Sequence, residues 1–137
     1  MPQIFSLDPK GFSPFLEQVG VSFTEIENGY SQAVLEVTDN LLNSMGVLHG
    51  GATYTLVDCG MGAAIFSCLE EGNMARTLEA KIAYFKPAAS GTVTCDTRVI
   101  HKSKTIATLE SDVRQDGALI AKAIGTFSIS KKSRGQA

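Results

Sequence analysis

The chain lacks the features that define several binding classes, and each absence removes a reading. It has no surplus of positive charge. Its 137 residues carry a formal net charge of −2, so nothing marks it as a nucleic-acid binder. Cysteine is scarce: Cys59, Cys68 and Cys95 form no CxxC pair and leave an odd count. That usage fits buried reduced thiols in a cytoplasmic protein better than a disulfide frame. His49 and His101 lie far apart without an HExxH spacing, so no metal and no metal-ligand cluster is expected. No P-loop or GxGxxG is present, so a nucleotide would be held by scattered cations and not by a glycine-rich cradle. MPQIFSLDPKGF has no basic stretch followed by an apolar run, and no secretory signal is expected. There is no internal repeat, linker or low-complexity segment, and the length suits one domain over residues 1–137 with a real core.

What is there is concentrated in residues 50–69, GGATYTLVDCGMGAAIFSCL, which carry one charged side chain, Asp58. The run is long enough for a helix of several turns and is apolar or small on nearly every face. A helix of that kind is expected to be buried. At about twenty residues it approaches a membrane-spanning length. Asp58, the glycines at 50, 51, 60 and 62, and the lack of a basic flank argue instead for a helix wrapped inside a soluble fold. Burying a carboxylate without a partner is costly, so a lone one here is a candidate for chemistry. His49-Gly50-Gly51 at the helix start offers free backbone N–H groups to a developing anion. A carboxylate plus N–H donors is the minimum equipment for hydrolysing an ester or thioester. The bland alternatives stand beside this: a structural acid at Asp58, a cap at His49, and glycines kept for packing.

The rest of the chain alternates. Residues 9–18 read as a short amphipathic helix within an N-terminal segment 1–19. Segments 21–29 and 30–39 read as two strands joined at Glu27-Asn28-Gly29-Tyr30, a hairpin signal. After the central helix over 50–70, with Gly72 as its C-cap, come strand-like runs at 75–85, 92–102, 105–115 and 118–130. Asp116-Gly117 marks the last tight turn. In the third of these runs Thr108, Glu110, Asp112 and Arg114 alternate with Ala107, Leu109, Ser111 and Val113, the pattern of an antiparallel sheet with one wet face. Residues 131–137 read as a frayed tail. One helix against one antiparallel sheet, with no second layer, requires the sheet to curve around it. The fold class is therefore α+β, a long central helix wrapped by about six antiparallel strands.

Two strands, a helix and four strands, with Asn43-x-x-Gly46-x-x-His49-Gly50-Gly51 before the helix and Asp58 inside it, closely resemble the hotdog-fold acyl-CoA thioesterases. The likeness is strongest to the branch containing the phenylacetic-acid-degradation thioesterase, and it spans nearly the whole chain. By that resemblance Asp58 is the catalytic acid, as nucleophile or as general base for water. Gly50 supplies the N–H that polarises the thioester carbonyl; apart from the resemblance, Gly50 and Gly51 lack side chains, so substrate can approach the backbone closely. Asn43 and His49 orient the thioester, and Thr77 stands where relatives carry a water-holding Ser. The basic cluster His101, Lys102 and Lys104 is a candidate rim for coenzyme A phosphates. The resemblance implies no cofactor, and a homodimer paired into a dimer of dimers. A hotdog hydratase or dehydratase, a non-enzymatic acyl-CoA sensor and a thioesterase acting on carrier-protein esters are the rival readings. Cys59, next to Asp58, has no base placed for it and reads as a core thiol.

One geometric expectation needs no family. Asp58 follows Gly50 by eight residues, roughly 12 Å along a helix axis. A thioester needs its attacking oxygen and its oxyanion donors both at about 3 Å. The two groups of one chain cannot serve the same carbonyl, so a catalytic pair requires two chains.

Overall fold

The computed structural model describes residues 13–133. Helix α1 (Pro14–Val19) starts where Ser13 accepts a hydrogen bond from the Leu16 N–H and Pro14 fills the first turn. It ends at Gly20, whose φ of 92° closes the helix in the left-handed region. The remainder of the helix expected over 9–18, and the last residues of the expected tail, lie outside the described residues. Lys131, assigned above to the tail, closes the final strand.

Six strands follow the expected order: β1 (Val21–Glu27) and β2 (Tyr30–Glu36), then, after the long helix α2 (Gly50–Phe66), β3 (Asn73–Tyr84), β4 (Thr92–Lys102), β5 (Ile106–Gln115) and β6 (Ala118–Lys131). They form one antiparallel sheet in the spatial order β1-β2-β4-β5-β6-β3, curved around α2. This is the hotdog fold. The hairpins β1–β2 and β5–β6 turn on Asn28-Gly29 and Asp116-Gly117, all four with φ between 50° and 80°. Positive φ at both central residues matches the turn to the strand twist.

Small side chains make the seat for α2. Ser31, Thr97, Ser111 and Ala123 stand in register across β2, β4, β5 and β6, and all four are buried. Their hydroxyls are satisfied: Ser31 donates to the Gly60 carbonyl at 2.6 Å, and Thr97 pairs with Ser111 at 2.7 Å. Gly60 fits against this row because it has no side chain; a Cβ there would sit 2.9 Å from Thr97 Oγ1. Gly125 likewise leaves room for Met61, whose sulfur would be 2.6 Å from an added Cβ.

Two expectations need correction. The helix stops at Phe66, with Ser67 as C-cap, and not near residue 70. Gly72 has a φ of 89° but serves the turn into β3. Nor is α2 covered all round. Leu56, Val57, Gly60, Met61 and Ala64 are buried, while Gly51 and Tyr54 are exposed and Thr55, Asp58, Gly62 and Phe66 half-buried. One sheet covers one side of a helix, and composition alone did not show which stripe stays open. Among the described residues no helix is long and apolar enough to cross a membrane.

Candidate active site

The open stripe of α2 carries the acid. Asp58 sits at mid-helix, half-buried, and accepts a hydrogen bond from Thr77 Oγ1 at 2.8 Å. The sequence had suggested a carboxylate without a partner, and the structure supplies one. A bulge in β3 explains how Thr77 reaches it. Thr77 pairs with Phe127 and Glu79 with Thr126, so Leu78 is the extra residue. Ahead of the bulge the odd positions, Ala75 and Thr77, face the helix. Beyond it the even positions, Ala80 and Ile82, pack on the core. Asp58 and Thr77 open onto a cavity of about 620 Å³.

The second cluster is at the start of α2. His49 is the N-cap, and its Nδ1 accepts the Gly51 N–H at 2.7 Å. That bond fixes the neutral tautomer with the proton on Nε2. It also takes Gly51 out of the set of free donors. The approach to the helix is pinned on all sides: Leu48 N–H donates to the Ala88 carbonyl at 2.7 Å and His49 N–H to the Leu41 carbonyl at 2.8 Å. Tyr84, at the end of β3, donates its hydroxyl to the Gly50 carbonyl at 2.8 Å and lays its ring against the α-carbon of Gly50. Among the described residues no hydrogen bond occupies the Gly50 N–H. A fixed, unoccupied amide at a helix N-terminus is preorganised for an oxyanion.

Asn43 lies beside this amide, lining a cavity of about 410 Å³ with Gly50, Tyr84 and Lys86. Its Oδ1 accepts from the N–H groups of Met45 at 2.9 Å and Val47 at 3.3 Å, so the carbonyl shapes the loop and only the amide NH₂ is left to face a ligand. Gly50 and Asp58 line different cavities of the chain, and His49 and Gly51 open onto a third.

The third group stands apart. His101, Lys102 and Lys104 are exposed around the β4–β5 turn. Lys102 Nζ donates to the Cys68 carbonyl at 3.0 Å, which places this cluster near the C-terminal end of α2. The helix runs 17 residues, so the cluster lies roughly 25 Å from Gly50 along the axis.

Cys59 lines the Asp58 cavity, yet its thiol is pushed up to about 12, first by burial, then by the Asp58 carboxylate and Cys95. A thiol held neutral is a poor nucleophile. Tyr84 and the bulge at Leu78 escaped the sequence reading. The change of parity between Thr77 and Ala80 was the available signal for the bulge. Tyr84 contacts Gly50 across 34 positions, and no local pattern announces that.

A long helix on a curved six-stranded sheet, with an acid at mid-helix and a bare amide at its start, defines a hotdog-type thioester hydrolase. Residues 45–121 match the profile of the thioesterase superfamily, more than half of the chain, and the chain belongs to that family. Acyl-coenzyme A thioesterase 13 of Mus musculus is 30% identical over 114 residues, covering 81% of this chain and 79% of its own. Conserved protein PA5202 from Pseudomonas aeruginosa superposes with a TM-score of 0.84 at 36% identity, covering 86% of this chain and 94% of that one. A mutant of phenylacetic acid degradation protein PaaI from Thermus thermophilus gives a TM-score of 0.79 at 27% identity, covering 85% and 98%. The matched segment includes Gly50, Asp58 and Thr77 and begins just after Asn43.

Proposed function

We propose that this hydrolase cleaves acyl-CoA thioesters to a carboxylic acid and coenzyme A, at sites shared between two protomers. The observation that carries the shared site is the separation of the two catalytic groups. Gly50 and Asp58 open onto different cavities, roughly 12 Å apart along one rigid helix. Two antiparallel copies of α2 would bring Gly50 of each chain to Asp58 of the other, twice, as a closed twofold contact requires. The edge of the sheet supports such pairing. Among the described residues strand β3 has a neighbour on one side only, and Leu78, Tyr84 and Phe85 on and beside it are each more than half exposed. An open, apolar edge strand is a template for a second chain. A dimer of dimers and a cytoplasmic setting complete the reading.

In the shared site Asp58 attacks the thioester carbon or takes a proton from the water that does. Thr77 fixes the carboxylate and presents its hydroxyl to that water. The Gly50 N–H of the partner chain stabilises the oxyanion, a contribution of about 3–4 kcal/mol to the barrier for donors of this kind. Asn43 offers its amide NH₂ and His49 its Nε2–H near the thioester, and Gly51 keeps the approach clear. His101, Lys102 and Lys104 supply cations for the phosphates of coenzyme A, with Lys86 a further candidate beside the Gly50 cavity.

The test mixes two inactive chains. Asp58→Asn removes the acid, and Gly50→Val crowds the amide. Purified heterodimers carrying one of each regain one intact site, about half the wild-type rate per dimer. Heterodimers as silent as either parent would overturn the shared site.

A further inference from the structure

Resting on the thioesterase reading, we propose that Tyr84 is a positioning residue of the hydrolysis. Its phenol, on the edge strand, holds the Gly50–Gly51 peptide, and with it the His49 ring, in the arrangement that the oxyanion amide needs. A chain of hydrogen bonds runs through that one peptide. The Tyr84 hydroxyl donates to the Gly50 carbonyl at 2.8 Å. This carbonyl and the Gly51 N–H belong to the same planar unit, and the Gly51 N–H donates in turn to His49 Nδ1 at 2.7 Å. A bond at one end of a peptide polarises the group at the other, so the two strengthen each other.

Gly50 is the residue that most needs such a hold, because glycine has the widest backbone freedom. The peptide before it is fixed at the His49 carbonyl, which accepts from the N–H groups of Ala52 at 2.9 Å and Thr53 at 3.3 Å. The peptide after it is the one that Tyr84 grips. With both planes set, the direction of the Gly50 N–H is set before substrate arrives, as preorganisation requires. The two glycines make room for the two rings. A Cβ on Gly50 would lie 3.4 Å from Tyr84 Oη, and one on Gly51 would lie 2.9 Å from His49 Nδ1. Tyr84 is itself held, since the N–H groups of Phe85 and Lys86 donate to the Ile120 carbonyl at 2.8 Å and 3.2 Å. Burial first and Tyr54 second raise the phenol above the usual tyrosine range, so it keeps the proton that it donates.

Tyr54 supplies the control. Its hydroxyl also ties α2 to β3, donating to the Ala80 carbonyl at 3.0 Å, one helical turn from Gly50. Its bond is to the strand and not to the Gly50–Gly51 peptide. The experiment compares full-length wild type, Tyr84→Phe and Tyr54→Phe by thiol release from acetyl-, octanoyl- and phenylacetyl-CoA. Amide exchange at Gly51, followed by NMR, reads the peptide directly. Tyr84→Phe should lower kcat about three- to tenfold on every ester with KM nearly constant. It should speed exchange at Gly51 by about the same factor, because the peptide opens more often. Tyr54→Phe should change either quantity by less than about twofold. Equal losses in the two variants, an unchanged Gly51 exchange rate in Tyr84→Phe, or a loss carried by KM alone would overturn the positioning role. So would a Tyr84→Phe protein that sediments as a smaller species than wild type, since a lost chain contact would then be the cause. In each of those cases wild-type release that disappears in Asp58→Asn leaves the hydrolase reading standing. Release from none of the esters by wild type would overturn both together.

Discussion

The two faces of α2 answer to different constraints, and its two inner glycines show how. Gly60 faces the sheet, where a Cβ would sit 2.9 Å from Thr97 Oγ1. Gly62 lies two residues on, on the open stripe, where a Cβ would meet nothing within 4 Å. The first glycine is required by packing inside the chain. The second is not, and it weakens the helix by about 1 kcal/mol relative to alanine. A residue that costs stability and fills no need of the folded chain is best explained by what enters from outside. The same holds along the stripe: Asp58 with Thr77, the cavity and the exposed Tyr54, which donates its hydroxyl to the Ala80 carbonyl at 3.0 Å, all lie where the helix borders the edge strand β3.

The largest effect should come from the open face. Asp58→Asn keeps the Thr77 hydrogen bond and the helix, yet removes the charge to which the proposed function assigns the chemistry. Turnover should fall on the order of a thousandfold or more with the unfolding midpoint preserved. Thiol release and thermal unfolding on one sample check this. Thr77→Ala should cost about tenfold in kcat, the scale of one hydrogen bond to a charged group, and Thr77→Ser should restore most of it. If Asp58→Asn stayed fully active, the open face would have no claim to the chemistry.

The two glycines sharpen the contrast in stability. Gly60→Ala forces a methyl against Thr97 and should destabilise by about 1–3 kcal/mol, as overpacking does. Gly62→Ala should stabilise by about 0.4–1 kcal/mol through the unfolded chain. Urea unfolding of both variants decides it. Opposite signs are expected, and equal losses would mean that Gly62 is packed against a second chain.

Next in size is Tyr84, which belongs to the Gly50 end. Tyr84→Phe keeps the ring against Gly50 and deletes only the bond to its carbonyl. With the side chain more than half exposed, stability should change by less than about 0.5 kcal/mol. If the bond holds the oxyanion amide in place, kcat should fall about three- to tenfold with KM nearly constant. Equal changes in kcat and stability would reduce Tyr84 to a surface contact.

How much of this contrast could be read beforehand depends on how local its causes are. The strands were legible because alternation and the Asn28-Gly29 and Asp116-Gly117 turns are set within a few residues. Asp58 was legible because a charge in an uncharged run is conspicuous. The end of α2 was not, since Ser67, Cys68 and Leu69 are as apolar or small as the helix itself and the stop is made by the return into β3. The open stripe was not legible either. Tyr54, Thr55 and Phe66 would suit a covered face as well as an exposed one, and only the placement of a single sheet tells them apart. Tyr84 and the Leu78 bulge depend on contacts between distant segments, beyond any window of periodicity.

The smallest expected effect concerns Cys59, which borders the open face and has no part in the chemistry proposed for it. Burial and the adjacent Asp58 raise its thiol from about 9 to about 12 in the fold. A group whose folded value is raised binds its proton more tightly when folded. Its contribution to stability is therefore complete below about pH 9 and is lost as pH rises toward about 12. Wild-type stability should fall across that window. Cys59→Ala should fall less steeply, by up to about 1.4 kcal/mol per pH unit before any relaxation of the site. Urea titrations at pH 8 and pH 10.5 on both proteins measure the difference. Cys95, raised to about 11 by burial on the covered face, is present in both proteins and cancels. An identical slope in the variant would mean that the open face admits enough water to leave Cys59 an ordinary thiol.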